Sequence, residues 1–280
     1  MQVMYFEGGN NNYRFMKRTL FLLIILFSLS SWKADKKGPW VKTKGERIIL
    51  YTRPINYSDS SSPDSLTIKE IINEQEWVID YINSSIATNF NSKVRIYLYN
   101  LDEAKAKIGT NGGGFASSNK MFPKIYFTFR SQSIFDPIRN KNVYVGIHEM
   151  VHVVTRNQLG RIRSAFFGEG YANAIDGCYG AKVLDDQFVF RRNDSTILRI
   201  KEHSSLLSPH DLLYDSNIQA REFYPQIGCL VEWMFDTYGV ESINELYKLN
   251  RYKIENEFSR VTGDTFDEMT SKYLAYQQNL

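Results

Sequence analysis

Residues 142–154 read Asn142-Val143-Tyr144-Val145-Gly146-Ile147-His148-Glu149-Met150-Val151-His152-Val153-Val154. On a helix, residues four apart lie one above the other, so His148 and His152 can aim ring nitrogens at one ion. Glu149, one position on, flanks that point without occupying it. Two imidazoles with a carboxylate beside them supply the ligands and the proton acceptor that hydrolysis by a metal-activated water requires. The apolar residues on both sides of the motif bury this helix on most sides, as in a core helix. The competing reading is a pair of histidines that fall four apart with no common ion, since the motif fixes only three positions.

A catalytic zinc takes three protein ligands and leaves one position open, so a third ligand is required. The short metzincin pattern would place a glycine and a histidine within six residues of His152, but Thr155 and Gln158 stand there. Downstream, Ser164 to Asp176 reads as a second helix with Glu169, Ala172, Asn173 and Asp176 on one face. Glu169 is the candidate third ligand and Asp176 the fallback, against the plainer reading of Glu169 as a solvated helix carboxylate. Asn173 and Asp176 are also spaced to hydrogen-bond the far nitrogens of the histidines, or simply to meet solvent.

With these residues the chain resembles the gluzincin branch of the zinc metallopeptidases, especially the peptidase MA-like domains of exported bacterial proteins. There the histidine motif is followed by a glutamate in an E-G-x-A context, matched by Glu169-Gly170-Tyr171-Ala172. The likeness continues through Tyr224-Pro225-Gln226-Ile227-Gly228, which opens an apolar helix running to Trp233-Met234-Phe235 and ending near Tyr238-Gly239. A last helix pair is split at Val261-Thr262-Gly263 and restarts with a capping box from Thr265 to Glu268.

The resemblance implies one Zn2+ ion on His148, His152 and Glu169, with Glu149 as general base in the hydrolysis of a peptide or protein substrate. It also implies a donor to the developing oxyanion, a contribution of about 2.7–4 kcal/mol. Tyr224 is the candidate for that donor and His210 its competitor, while His203 reads as a surface residue. Two alternatives stand beside the peptidase. One is a zincin-fold binding or surface module without activity, and the other is a non-haem iron oxygenase built on two histidines and a carboxylate, in which Glu149 would have no task.

Upstream, Glu46 to Thr52 reads as a short strand, Ser62-Pro63 as a cap and first-turn pair, and Ile68 to Ile86 as one helical stripe. Lys93 to Tyr99 and Lys124 to Arg130 alternate as half-buried strands. Between them lies Asn111-Gly112-Gly113-Gly114-Phe115-Ala116, either a close backbone approach beside a substrate-binding edge strand or a plain flexible turn. Ser58 to Ser65 reads as a surface loop. The expected architecture is α+β and, by the resemblance, zincin-like: an N-terminal mixed sheet with covering helices and the HExxH helix, then a mainly helical C-terminal lobe.

Lys17-Arg18 followed by an apolar run from Leu20 to Leu29 and the small residues Ser28, Ser30 and Ser31 predicts a secretory signal over 16–31. The run is shorter than the about 20 residues that span a bilayer, so a cleaved signal is expected rather than an anchor. Met16 reads as the natural start, with 1–15 as an extension, 32–44 as a linker, and 45–280 as the catalytic domain (N-lobe 45–160, C-lobe 161–280). An exported protein, periplasmic or extracellular, follows, and no cysteine after the run offers a lipid anchor. The net charge of +3 is too small to argue for nucleic acid, no basic patch interleaved with aromatics stands out, and 43% apolar residues exclude general disorder. Cys178 and Cys229 fit one disulfide or two buried thiols.

Overall fold

The computed structural model describes residues 39–53, 63–100, 103, 106, 113–117, 121–129, 133–177 and 193–280. The expected extension and signal segment, Ser62 and Cys178 lie outside the described residues. The architecture is mixed α/β, with a sheet in the N-terminal half and helices through the C-terminal half.

Strands β1 (Val41–Lys44) and β2 (Ile48–Thr52) pair antiparallel. Helix α1 (Ser65–Ser85) then crosses to β3 (Val94–Tyr99), which lies parallel to β2. Strand β4 (Gly114–Ala116) pairs antiparallel with β5 (Lys124–Thr128), and β5 lies parallel to β3, so the five-stranded order is β1-β2-β3-β5-β4. A separate hairpin, β6 (Ile134–Asp136) and β7 (Lys141–Val143), follows. Residues 41–44, expected as linker, form β1 instead. Its lysines are compatible with an edge strand, and Trp40 sets its ring edge-on against Tyr97 and Tyr99. The cap of α1 is also two residues later than expected, because the Asp64 carboxylate accepts the Thr67 N–H at 2.7 Å.

One face of the sheet is apolar, with Ile48, Leu50, Val94, Ile96, Leu98 and Ile125 fully buried, and α1 covers it with Ile71, Val78, Ile79 and Ile82. Burial of each such side chain contributes about 1.5–3 kcal/mol relative to exposure. On the opposite face Tyr51, Tyr97, Tyr126 and Phe115 stand in one cross-strand row with stacked rings.

Helix α2 (His148–Gln158) starts on the first motif histidine and packs against α1, β4 and β5. Helix α3 (Ala165–Asp176) follows after a short turn, capped by the Ser164 hydroxyl. The remaining helices are α4 (Asn193–His203), α5 (Pro209–Tyr214), α6 (Ala220–Tyr238), α7 (Val240–Tyr247), α8 (Arg251–Thr262) and α9 (Phe266–Gln278). Gly263 in the left-handed region ends α8, and the Thr265–Glu268 capping box starts α9, both as the sequence predicts.

Two expectations are corrected here. Pro225 does not open its helix: α6 begins at Ala220 and carries Pro225 inside. The carbonyl that the ring leaves unbonded, four residues back, belongs to the exposed residue Arg221, where water can take the lost bond. His210, which the sequence suggests as a loop histidine beside a helix start, stands in the first turn of α5, behind the Ser208 capping box.

Helices α3 and α6 make the closest helix pair, and Gly170 is the reason. A Cβ there would stand 2.5 Å from Val231 Cγ2 and 3.2 Å from Ile227 Cγ1. Gly170→Val should therefore lower stability by about 2 kcal/mol or more, read as a shift in the urea midpoint. Adding Val231→Ala should recover part of the loss; strictly additive losses would show that this contact does not set the spacing.

Candidate metal centre

The first two turns of α2 carry three of the candidate site residues, His148, Glu149 and His152. His148 and His152 stack edge-on with ring centroids 4.9 Å apart, both on the side of α2 that faces α3. From α3, Glu169 reaches across with Oε2 3.4 Å from His148 Nε2 and Oε1 3.6 Å from His152 Nε2. Ligand atoms of these three residues all fall within 4.8 Å of one another, and among the described residues they are the group of three that can hold a metal ion. The two contacts are long for hydrogen bonds. They match the edge of a tetrahedron around zinc, about 3.3–3.6 Å for ligand bonds of roughly 2.0–2.2 Å. The donor set, two imidazoles and one carboxylate, and its partial exposure (28%, 13% and 26% of the three side chains) suit an ion with one position left open.

The charges agree with a cation site. Burial opposes protonation of His148, yet the carboxylates of Glu169, Glu149 and Asp176 outweigh it and raise the imidazole to about 9. Burial also works against ionisation of Glu169, and the two histidines overcome it, holding the carboxyl far below its ordinary range. His148 and Glu169 thus stabilise each other in the charged form.

Glu149 lies at the edge of the sheet. The point where a Cβ of Gly114 would stand is 2.5 Å from Glu149 Cγ, so β4 and the glutamate touch only because residue 114 has no side chain. This is the close backbone approach, one of the two readings of the glycine run. Tyr224, half-buried on α6, is raised above the ordinary phenol range by burial and then by the charges of Glu169 and Glu149, which places it in the field of the site. His210 is placed elsewhere: Nδ1 meets Glu255 and Nε2 meets Asp267, each at 2.9 Å, so both ring nitrogens are committed to α8 and α9. That corrects its reading as a competing oxyanion donor. His203 is exposed, as expected.

The supporting residues differ from expectation. Asn173 is buried and gives its amide N–H to the Glu169 carbonyl at 2.8 Å, bracing α3 rather than a histidine. Asp176 does not converge with His148, His152 and Glu169; burial raises its pKa, while the charge of His148 and other nearby groups draw it down. His152 Nδ1 is buried without a hydrogen-bond partner among the described residues. Cys229 is a buried free thiol.

Sequence reasoning missed Glu74 and Gln75 of α1, which bind the backbone immediately before His148. The signal was present, since Gln75 falls on the Ile71, Val78, Ile82 stripe where an apolar residue belongs. It also missed Asp136 and Arg139 of the β6–β7 hairpin. Asp136, fully buried, holds Arg139 at 2.6 Å, and Arg139 donates to the Ile175 carbonyl at the end of α3 at 2.5 Å.

No family model matches this chain, and no curated protein matches it.

In the metal-free protein His148 carries a proton up to about pH 9, and coordination through its nitrogen must displace that proton. Zinc binding at pH 7 should release about one proton, and apparent affinity should rise with pH and level off above about 9. Titration calorimetry in buffers of different ionisation heat reads this directly; binding without proton release would remove His148 from the ligand set.

Proposed function

We propose that this chain is an exported zinc-dependent peptidase of zincin-like, gluzincin type. One observation carries the reading: β4, the edge strand of the sheet among the described residues, runs past Glu149 in van der Waals contact, beside three convergent ligand atoms. The hydrogen-bonded pairs across β4 and β5 are Gly113 with Thr128 and Ser117 with Lys124. By the alternation of an antiparallel ladder, Gly114 and Ala116 then direct their N–H and C=O groups away from β5, toward the open edge. An extended peptide that adds to that edge is held by backbone bonds next to the glutamate.

The residues divide the work as follows. His148 and His152 through Nε2, and Glu169 through a carboxylate oxygen, would hold zinc, which when bound supplies Lewis acidity toward a water and a carbonyl oxygen. The Glu149 carboxylate takes the proton of the attacking water and afterwards delivers it to the leaving amine nitrogen. Gly114 and Ala116 keep the scissile carbonyl in register with Glu149. The Tyr224 hydroxyl, kept protonated at neutral pH by burial and by the two neighbouring carboxylates, donates to the oxyanion of the tetrahedral carbon. Packing of α2 between the sheet and α3 keeps bulk water from the buried side of the motif.

Cleavage of a mixed peptide library, with and without a chelator, tests the activity and its metal dependence together. Glu149→Gln should retain zinc and lose about 10²–10⁴ in kcat, and Tyr224→Phe should lose about 10²–10³. Full cleavage by zinc-loaded Glu149→Gln would end the proposed mechanism. Gly114→Ala, whose new methyl displaces Glu149, should fold normally and cleave at least tenfold more slowly, roughly the penalty of a 1 Å misplacement or less.

A further inference from the structure

We infer that Glu74 is a positioning residue for the metal centre, fixing His148 and Glu149 through the backbone of residues 144–146 without touching either. The inference rests on the zinc reading above. Glu74 projects from α1 and is almost fully buried. Its Oε2 accepts the Tyr144 N–H at 2.7 Å, and its Oε1 accepts those of Val145 at 3.1 Å and Gly146 at 2.9 Å. Gln75 completes the contact, donating from one amide nitrogen to Glu74 Oε1 and to the Gly146 carbonyl, both at 2.9 Å.

Three successive N–H groups converge on one carboxylate because the backbone there is concave, with Gly146 at φ 87°. The next N–H, of Ile147, acts on the buried carboxyl of Asp176, drawing its pKa down against the effect of burial. Residues 144–146 therefore give every backbone donor to one buried carboxylate. Helix α2 has no side-chain cap at Ile147, and His148 is its first residue. The clamp takes the place of a cap, and any shift of residues 144–146 passes to His148 and Glu149 with no intervening turn to absorb it.

The chemistry demands a carboxylate. An acceptor-only group with two oxygens can meet three N–H donors, whereas a carboxamide in the same place turns a donor toward donors. Truncation leaves three buried N–H groups unsatisfied. Either change frees the start of the ligand helix while the ligands themselves are intact.

The test uses the full chain with Zn2+ and Co2+ as probes. Glu74→Gln and Glu74→Ala should bind zinc about tenfold or more weakly, in the range found for groups that orient metal ligands, measured by competition with a chromophoric chelator. Both should alter the visible absorption of the cobalt-loaded protein, which reports ligand geometry. Ile254→Ala, in the core of α8 away from the site, serves as the control: it should lower the melting temperature while leaving zinc affinity and cobalt spectrum unchanged. If Glu74→Ala does not fold, Gln75→Leu, which removes both companion bonds at similar size, should show the same changes to a smaller degree. Wild-type affinity and spectrum in the folded variants would overturn the positioning role while leaving the peptidase reading standing. A wild-type chain that takes up no zinc would overturn both.

Discussion

The burial of α3 governs the geometry of the site. Nine of its twelve residues are buried, which for a helix this short means packing on almost every side. Its position is therefore set by neighbours in both halves of the molecule: α6 through the gap at Gly170, α2 through the ligand group, and the β6–β7 hairpin through Arg139 on the Ile175 carbonyl. Glu169 is the one charged side chain of α3 that is not buried, and it has no freedom to choose its direction. A carboxylate delivered by so constrained a helix can meet two imidazoles from another helix at matched distances of 3.4 and 3.6 Å.

The second principle of construction is the use of buried carboxylates to hold backbone. Glu76 of α1, partly buried, accepts the N–H groups of Arg47 and Ile48, and the buried Glu74, two residues earlier, accepts those of residues 144–146. Asp136 does the same for Ile138 and Arg139. Burying such groups is costly unless they are bonded, so each one specifies a single arrangement of the segment it holds. Burial raises Glu74 to about 7 although its backbone donors pull it down, which shows how strongly desolvation acts there.

How far the sequence announced all this depends on the range of the interaction concerned. The motif helix, the second helix with Glu169 on it, the break at Gly263 and the Thr265 capping box are local patterns, and local rules read them directly. Strands β3 and β5 were legible from alternation. The β6–β7 hairpin was not, because three-residue strands carry too few positions to show a period. Strand β1 was disguised by Lys42 and Lys44. Pro225 misled because its position within α6 depends on residues 220–223, which have no apolar periodicity of their own. The three candidate ligands were visible, while the contacts that hold the backbone before His148 were hidden, since Glu74 meets its partners at a sequence separation of 70 residues or more.

That separation bears on the order in which the chain acquires its structure. The ligands fall between positions 148 and 169, within one helical hairpin whose ends are close along the chain, so this unit forms from neighbours. The Glu74 clamp closes a loop more than three times as long, at an extra entropic cost of roughly 1 kcal/mol. It also requires α1 to have docked on the sheet. The two histidines and Glu169 can thus approach one another early, while the exact pitch of α2 against β4, and with it the contact between Glu149 and Gly114, waits for the longest-range bond in the site. On loop length alone, the convergence of His148, His152 and Glu169 therefore carries a smaller entropic cost than the contact between Glu149 and Gly114.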